Sequence, residues 1–536
     1  MAEQGFRKFI ITITCVSVAM LELIDTSIVN VALPHMMGSL SATLQEVSWV
    51  VTGYIIANVI VIPLTDWLSS QLGRKKYFLG SIILFVLASG LAGQATSITE
   101  LIVFRILQGV GGAALITISR VILIEAYPPE ELGLANALFG LGAVVGPTIG
   151  PTLGGWLISH YSWRWIFYVN LPVGIIAFLL SLLFVADVDY EKKSKKVDWI
   201  GIVLLIVGVG SLQTVLERGQ DDDWFSSHFI LTLTIIAVIG IVLFIIRELT
   251  TEKPVVDLKV LRHPSLAFGS IFITILGFGL YGSVFAFPVF TQRLLGYSAL
   301  QTGLILLPGG IATAMMMPVV GILLKRGVKP QVLAFIGFSV FFIFCWMLSH
   351  LTMVSGPNDF FWPLVIRGLG LGFLFVPITT IAFTGVQGKE LSLGSGLLNM
   401  FRQLGGSFGV ALIGTFIERR EAFHRTTLAS HINNYDPVSR YRISELTHGF
   451  LGKGSALSTA HSQALKALDY TLIRQSALMS YNDTFLIVGV FFLICLPLLL
   501  FTLKSKKKVK GHENQALLSS KETGTNIKEL KADTVS

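Results

Sequence analysis

The stretch 140–156, GLGAVVGPTIGPTLGGW, contains two prolines and four glycines spaced four residues apart: Pro147 and Pro151, with Gly142, Gly146, Gly150 and Gly154. This spacing places the glycines on one face of a helix. In water the helix would be weak, because an interior glycine costs about 1 kcal/mol and a proline about 3 kcal/mol. In a bilayer, neighbouring helices bind the backbone groups that proline frees, and a face without side chains allows close approach. The stretch therefore predicts a bent, closely packed membrane helix that takes part in a motion.

The composition of the whole chain indicates an all-α integral membrane protein. Of the 536 residues, 53% are hydrophobic and 13% are charged, and the mean hydropathy is +0.73. Soluble domains contain about 25% charged residues. The net charge of +8 is concentrated at the ends of apolar runs, which is typical of membrane orientation rather than of nucleic-acid binding. Cys15, Cys345 and Cys495 lie inside apolar runs, so we expect no disulfide, metal site or cofactor.

Fourteen apolar runs are long enough to cross a hydrocarbon core about 30 Å thick. They lie near 10–33, 47–68, 77–95, 99–121, 133–158, 165–186, 197–217, 229–247, 265–289, 300–324, 331–350, 360–384, 394–417 and 483–503. Basic residues cluster on one side of the alternating path, which predicts that both termini are cytoplasmic.

Internal repetition predicts how these spans are grouped. Arg105 in FRILQGVGGA has a counterpart eight spans later, Arg367 in VIRGLGLGF, and the basic turn GRKK has a counterpart in KRGVK. This offset fits two six-helix bundles separated by two helices, a 6+2+6 arrangement. We therefore expect a first bundle at 1–190, two linker helices at 191–260 and a second bundle at 261–503. The second bundle would contain an extracytoplasmic loop at 418–482, and the basic tail 504–536 is predicted to be disordered in the cytoplasm.

Several motifs together resemble the major facilitator superfamily, in particular its fourteen-span EmrB/QacA group of drug–proton antiporters. They are LIDTSIVNVALP at 23–34, the fourth-span motif around Arg105, and WRWIFYVNLPVG at 163–174. The opening stretch resembles the fifth-span antiporter motif, to which Gly142, Gly146, Pro147, Gly150, Pro151, Gly154 and Gly155 belong. The resemblance implies the fold of that superfamily. It also implies proton-coupled export of hydrophobic or cationic drug-like compounds by alternating access, with the glycines of span five at the interface between the bundles.

The motif after span two departs from the family pattern. The resemblance assigns a cytoplasmic gating role to Asp66, Gly73, Arg74 and Lys75. However, Ser70 stands where the family has an acidic residue, and Asp66 stands where it has a glycine. The charge relay that the family motif implies is therefore in question here. Asp66 either substitutes for the acid one turn earlier or is an interfacial carboxylate.

Ionisable residues inside membrane spans are costly, which makes them candidates for function. Glu22 and Asp25 share one helix face. We predict that Asp25, assisted by Glu22, binds the proton and that a cationic substrate competes for the same negative charge; a purely structural salt bridge is the alternative. Arg105 must be paired, and Asp25 is one candidate partner. In the second bundle, Arg367 and Arg402 are its analogues, for which a structural role is favoured over coupling.

The predicted loop 418–482 contains an amphipathic helix around residues 457–472. The family resemblance implies that the loop docks a periplasmic adaptor, an EmrA-like membrane fusion protein, which leads to an outer-membrane channel. The protein would then be the inner-membrane component of a tripartite pump, and its other partners would be lipid, protons and the substrate. A lid or a membrane-lying helix is the alternative for this segment.

Other classes of function lack support in the sequence. An enzyme would need a nucleophile–base set or metal ligands within the spans, and an ATP-driven pump would need a P-loop. We therefore expect a secondary transporter rather than an enzyme. Export of an endogenous metabolite or a siderophore remains the alternative to export of drugs, because the sequence does not identify the substrate.

Overall fold

The computed structural model describes residues 5–128, 131–186, 198–252, 254–386, 389–433 and 435–499. These residues form helices joined by short connections, and no strand occurs among them. The α-helices are α1 (Gly5–Leu40), α2 (Leu44–Leu72), α3 (Arg74–Gln94), α4 (Ile98–Ala126), α5 (Leu132–His160), α6 (Trp165–Tyr168), α7 (Asn170–Phe184), α8 (Trp199–Arg218), α9 (His228–Thr250), α10 (Pro264–Val289), α11 (Ala299–Lys325), α12 (Pro330–Leu348), α13 (Pro357–Ala382), α14 (Lys389–Ser430), α15 (Pro437–Leu451) and α16 (Leu457–Ile494).

The predicted all-α membrane class is confirmed. Within the described ranges, thirteen helical segments are long and apolar enough to cross a membrane. The fifth predicted run lies on α5, a 29-residue helix that contains Pro147 and Pro151. The total of fourteen spans and their 6+2+6 division remain predictions. The basic tail 504–536 and the lysines at 192–196 lie outside the described residues.

Local sequence sets where several helices begin. Thr43 caps α2, since its hydroxyl accepts the backbone N–H of Glu46 while the Glu46 carboxylate accepts the N–H of Thr43. Ser298 and Gln301 form the same reciprocal arrangement at α11. Each arrangement satisfies backbone donors that a helix start leaves free. Between α2 and α3, Gly73 has φ of +87°, a left-handed conformation that favours glycine and turns the chain.

The helices form two sets that face each other. In the first set, α1 packs on α4, α5 and α7, and α4 packs on α2 and α3. In the second set, α10 packs on α14, α13 packs on α11 and α12, and α16 packs on α12 and α14. The sets meet mainly through α5 against α11 and α2 against α14. Between them, α8 contacts both α2 and α14 and crosses α9 closely at Gly208 and Gly240.

The segment predicted as a long loop is largely helical. α14 continues to Ser430, α15 follows, and α16 begins at Leu457 and runs without a break into its apolar half. Ion pairs join α14 to α16, with Arg420 to Asp483 and Arg425 to Asp469. This segment is the predicted connection 418–482 between two spans, and its extracytoplasmic location stays a prediction. Charged residues end the hydropathy signal there without ending a helix. The amphipathic helix is present, and on its inner face Ala460, Ala464 and Leu472 are buried.

Candidate functional site

Gly142, Gly146, Gly150 and Gly154, spaced four residues apart on α5, are called the glycine ladder here. They lie directly against α1. A Cβ atom built on Gly150 would lie 1.9 Å from the Ser27 hydroxyl oxygen, and one on Gly146 would lie 3.0 Å from the Leu23 Cβ. Cβ atoms on Gly142 and Gly154 would meet Met20 and Ile28, also on α1. The close helix contact predicted from the glycine spacing is therefore present.

The location of this contact differs from the expected one. We expected the glycines at the interface between the bundles, but they face α1 within the first set. α5 meets the second set through other residues, with Thr152 against Gly303 and Gly140 against Met317 and Phe375. The sequence could not distinguish the two faces, because small residues allow close approach to either partner.

The segment of α1 held by this contact carries both acidic residues. Asp25 is fully buried and accepts three side-chain hydrogen bonds. Its Oδ2 accepts from Arg105 Nη1 at 2.5 Å, and its Oδ1 accepts from Gln108 Nε2 at 2.9 Å and from Asn170 Nδ2 at 2.7 Å. Both carboxyl oxygens of Asp25 therefore have hydrogen-bond donors, and Arg105 balances its charge.

Arg105 also makes several contacts. Besides Asp25 it donates to the Val50 carbonyl at 3.1 Å and to Gln108 Oε1 at 2.8 Å. The guanidinium carbon lies 4.1 Å from the centroid of the Tyr54 ring, a cation–π distance. The Asp25–Arg105 pair, one of the pairings left open by the sequence, is thus formed, and it joins α1 to α4.

Glu22 lies in a different environment one turn away. It is buried, and its Oε1 accepts hydrogen bonds from Tyr54 Oη at 3.3 Å and from Asn58 Nδ2 at 3.1 Å. Its Oε2 has no partner within the described residues. The positive charge of Arg402, in the second helix set, and the negative charge of Asp25 both act on Glu22. Sequence reasoning found the two acids but missed the supporting roles of Tyr54 and Asn58, which lie on α2.

The region after span two forms an ion pair that the motif did not predict. Arg74 is buried and pairs with Glu125 at the end of α4. Lys75 and Asp66 are half-buried, and the Ser70 hydroxyl donates to the Trp67 carbonyl of its own helix at 2.7 Å. Glu125 of α4 is thus an acidic partner of Arg74. A glutamate at the end of span four was the only sequence signal for this pair.

Buried arginines of the two helix sets differ in their surroundings. Arg367 donates from Nε to Ser283 at 3.1 Å, and Arg402 donates from Nη2 to Asn399 Oδ1 at 2.7 Å. Neither forms an ion pair among the described residues. Arg120 of α4, which the sequence analysis did not single out, is also buried and donates to Asn136 Oδ1 at 3.5 Å.

At one end of the helix sets, three charges link three helices. Glu131 at the start of α5 pairs with Lys8 of α1, and its other oxygen lies 3.7 Å from Lys325 Nζ at the end of α11. The hydrogen bond from Lys8, together with the two positive charges, holds the pKa of Glu131 below its ordinary value. This cluster is a direct polar contact between the two sets.

Long apolar helices in two facing sets, with charged side chains buried between them, define a multi-pass membrane transport protein. The chain belongs to the Major Facilitator Superfamily, whose family model matches residues 15–410.

Among relatives, it is 32% identical over 502 residues to the multidrug export protein EmrB of Escherichia coli, covering 93% of this chain and 96% of EmrB. It is 33% identical over 480 residues to the fatty acid resistance protein FarB of Neisseria gonorrhoeae, covering 89% and 92% of the two chains. The crystal structure of the human organic anion transporter MFSD10 shares the fold with a TM-score of 0.55 at 12% identity, covering 91% of this chain and all of MFSD10. The predicted family resemblance is confirmed.

Proposed function

We propose that this protein is a proton-coupled efflux transporter that exports hydrophobic, drug-like compounds by alternating access. The observation that carries the proposal is the buried acid–arginine cluster on α1 and α4, held against the glycine ladder of α5. Relatives named for multidrug export and fatty acid resistance, similar over almost the whole chain, support the export function. The protein would lie in the inner membrane with both termini in the cytoplasm.

The geometry favours different roles for the two acids. Asp25 accepts hydrogen bonds from three donors and forms an ion pair with Arg105, so its oxygens are already engaged within the first helix set. One carboxyl oxygen of Glu22 has no hydrogen-bond partner among the described residues. The site is buried, and burial of a charged carboxylate without such partners costs free energy. We infer that Glu22 takes up and releases the proton, while the Asp25–Arg105 pair fixes the position of α1. The charge of Arg402, on the other helix set, would then interact with Glu22 only when Glu22 is ionised. Arg367 would have a structural role.

Alternating access would require the two sets to separate at one end at a time. The bundles would correspond to 1–190 and 261–503, with α8 and α9 between them. The Glu131 cluster would close one end, because it joins α1 and α5 to α11. The Arg74–Glu125 pair, with Gly73 and Lys75 next to Arg74 in the sequence, would join the cytoplasmic ends of α3 and α4, and Asp66 of α2 would belong to the same gating motif.

The helical segment 418–482 is the proposed docking site for a periplasmic adaptor, an EmrA-like membrane fusion protein that leads to an outer-membrane channel. Within it, Tyr435, Val438 and Tyr441 expose large side chains. Exposed aromatic side chains are typical of protein interfaces, which supports an adaptor over a lid.

The test measures pH inside inverted membrane vesicles that hold a proton gradient, as candidate compounds are added. The wild-type protein should release protons when a substrate is added, and Glu22→Gln should abolish this release. Glu252→Gln, which changes an exposed acid that follows α9, is the matched control and should behave as wild type. Retained proton release in a folded Glu22→Gln protein would refute the assignment of Glu22. Proton release with siderophores or metabolites alone would replace drugs with the alternative substrate class.

A further inference from the structure

The end of α8 lies between the two helix sets. Lys8 is in the first turn of α1, which ends at Leu40, and α2 begins at Leu44. The first turns of α2 therefore lie at the opposite end of the first set from the Glu131 cluster. Arg218, the last residue of α8, contacts these turns. We call this end of the two sets the outer end, because it corresponds to the predicted extracytoplasmic side.

Arg218 joins α8 to the first set. It is 6% exposed, and its Nη1 donates to the Ser48 hydroxyl of α2 at 2.7 Å. Its guanidinium carbon lies 5.6 Å from the centroid of the Trp49 ring, a cation–π distance. Its Nη2 donates to Asp222, just beyond the end of α8, at 3.3 Å. The guanidinium group is therefore positioned by its own segment and donates from there to α2.

Gln213 and Trp224 join the same region to α14 of the second set. Gln213 is fully buried, and its Nε2 donates to the Ser407 hydroxyl at 2.6 Å and to Glu217 Oε1 at 2.9 Å. Trp224 Nε1 donates to the Thr415 hydroxyl at 2.9 Å. Ser407 and Thr415 are about 12 Å apart along α14. The segment that contacts α2 is therefore also fixed to α14, at two separate points.

The chain directly after α8 has a strained backbone. Asp223 and Trp224 have φ of +57° and +50°, a left-handed conformation that is uncommon outside glycine and unfavourable for a bulky side chain. The Trp224 N–H donates to the Gly219 carbonyl at 2.6 Å, and its indole is the group bound to Thr415. Backbone strain of this kind persists only where surrounding contacts fix it, and it is frequent in switch regions. The strain therefore favours a function for the contact of Trp224 with α14, beyond the connection of α8 to α9.

We propose that α8 is a latch that is anchored on α2 and holds α14 at the outer end, with Gln213 and Trp224 as its positioning residues. The anchor is Arg218, together with Gly210, on which a Cβ atom would lie 3.2 Å from Ile60 of α2. The outer ends of the two sets then separate only when the contacts of Gln213 and Trp224 with α14 break. The proposal rests on the alternating-access function proposed above, for which it supplies a gate at the outer end. It gives a role in transport to a helix that lies outside both predicted six-helix bundles.

The contacts with α14 act on the balance between a closed and an open outer end. They exist only in the closed state, so their loss raises the population of the open state. The loss of one neutral hydrogen bond should change the ratio of open to closed states about fivefold. Because the two contacts lie far apart on α14, their effects should multiply to about 25-fold.

The experiment measures distances between pairs of spin labels by pulsed electron paramagnetic resonance, in the full-length protein in lipid nanodiscs. Labels on Thr99→Cys and Val354→Cys, both exposed, report on the outer ends of the two sets. Labels on Lys76→Cys and Arg326→Cys, also exposed, report on the opposite ends. The native cysteines are buried and are not expected to react. The populations of short and long outer distances give the ratio of closed to open states.

The variants remove the acceptors on α14 and leave α8 intact. Ser407→Ala and Thr415→Val should each raise the ratio of open to closed outer ends by the single factor given above, and the double variant by the product. The distance at the opposite ends should not increase. Trp224→Phe, which keeps a ring and removes the indole N–H, should reproduce Thr415→Val. Ser270→Ala is the matched control, because its buried hydroxyl donates to a carbonyl of its own helix at 2.9 Å, and it should keep the wild-type ratio.

The outcomes separate the latch from the transport function. Unchanged outer distances in Ser407→Ala and Thr415→Val would overturn the latch, as would an equal change in Ser270→Ala. Longer distances at both ends would show general loosening of the protein and would also overturn it. Unchanged distances with normal substrate-dependent proton release in vesicles would remove only the latch. Shifted outer distances in a protein that releases no protons with any compound would support the latch and refute the proposed function.

Discussion

The contact between Gly150 and Ser27 offers a sharp test of the link between the glycine ladder and the acid site. In Gly150→Ala the new Cβ would lie 1.9 Å from the Ser27 hydroxyl oxygen, about 1.5 Å closer than the 3.4 Å at which ordinary contact begins. The hydroxyl cannot move freely, because it donates to the Leu23 and Ile24 carbonyls. The Ser27 Cβ and the Ile24 carbonyl oxygen, at 3.0 and 3.1 Å, limit any further adjustment.

The consequence should be a displacement of α1 away from α5. Overpacking of this kind costs about 1–3 kcal/mol. Because Asp25 lies two residues before Ser27 on the same helix, its 2.5 Å hydrogen bond from Arg105 should lengthen as α1 moves. We expect Gly150→Ala to lower the midpoint of thermal unfolding and to reduce substrate-dependent proton release by about tenfold or more, the effect of about 1.4 kcal/mol.

A second-site change makes the argument specific. Ser27→Ala removes the oxygen at 1.9 Å and leaves only contacts of 3.0 Å and longer, so the double variant should recover most of the lost stability and transport. Gly80→Ala is the control, since nothing lies within 4 Å of a Cβ built there. Wild-type transport by Gly150→Ala, or no recovery in the double variant, would refute the reasoning.

Two further predictions concern ion pairs. Asp25→Asn should lower the free energy of unfolding by about 3–5 kcal/mol, because it leaves a buried arginine unpaired. Adding Arg105→Gln should restore part of that loss in chemical unfolding, whereas additive losses would contradict the pairing. The Lys8–Glu131 pair lowers the pKa of Glu131, so its stabilisation is complete above about pH 4.3, the ordinary glutamate value, and disappears as the pH falls through the lowered value. The difference in unfolding midpoint between wild type and Glu131→Gln should therefore vanish at acid pH, and a difference independent of pH would show that the pair is not responsible.

The sequence alone determined the membrane class and the order of the helices. Apolar runs of sufficient length report directly on burial in lipid, because the requirement depends on local composition and length. At 418–482 the apolar signal ends, but α14 and α16 continue as helices. Hydropathy detects the change of solvent, whereas helix continuity depends on backbone hydrogen bonds and on tertiary contacts such as Arg420 with Asp483.

The sequence also identified Glu22, Asp25 and Arg105 as buried ionisable groups, since a charge inside a span is costly wherever it occurs. It could not assign their partners. Gln108 and Asn170, which donate to Asp25, lie 83 and 145 residues from it along the chain. Their hydrogen bonds depend on how α1, α4 and α7 pack. Because of that packing, Asp25 has hydrogen-bond donors on both carboxyl oxygens, whereas one oxygen of Glu22 has no partner among the described residues.

The glycine ladder shows the same division. Its spacing determined that one face of α5 would make a close helix contact, because the periodicity of a helix is local. Only the tertiary structure decided that the partner is α1 rather than the second helix set. Likewise, Arg120 and Arg402 come from helices about 280 residues apart, and their charges act on each other only when the two sets face each other. Electrostatic balance at such a site is a property of the assembled helices, since charges act through space rather than along the chain.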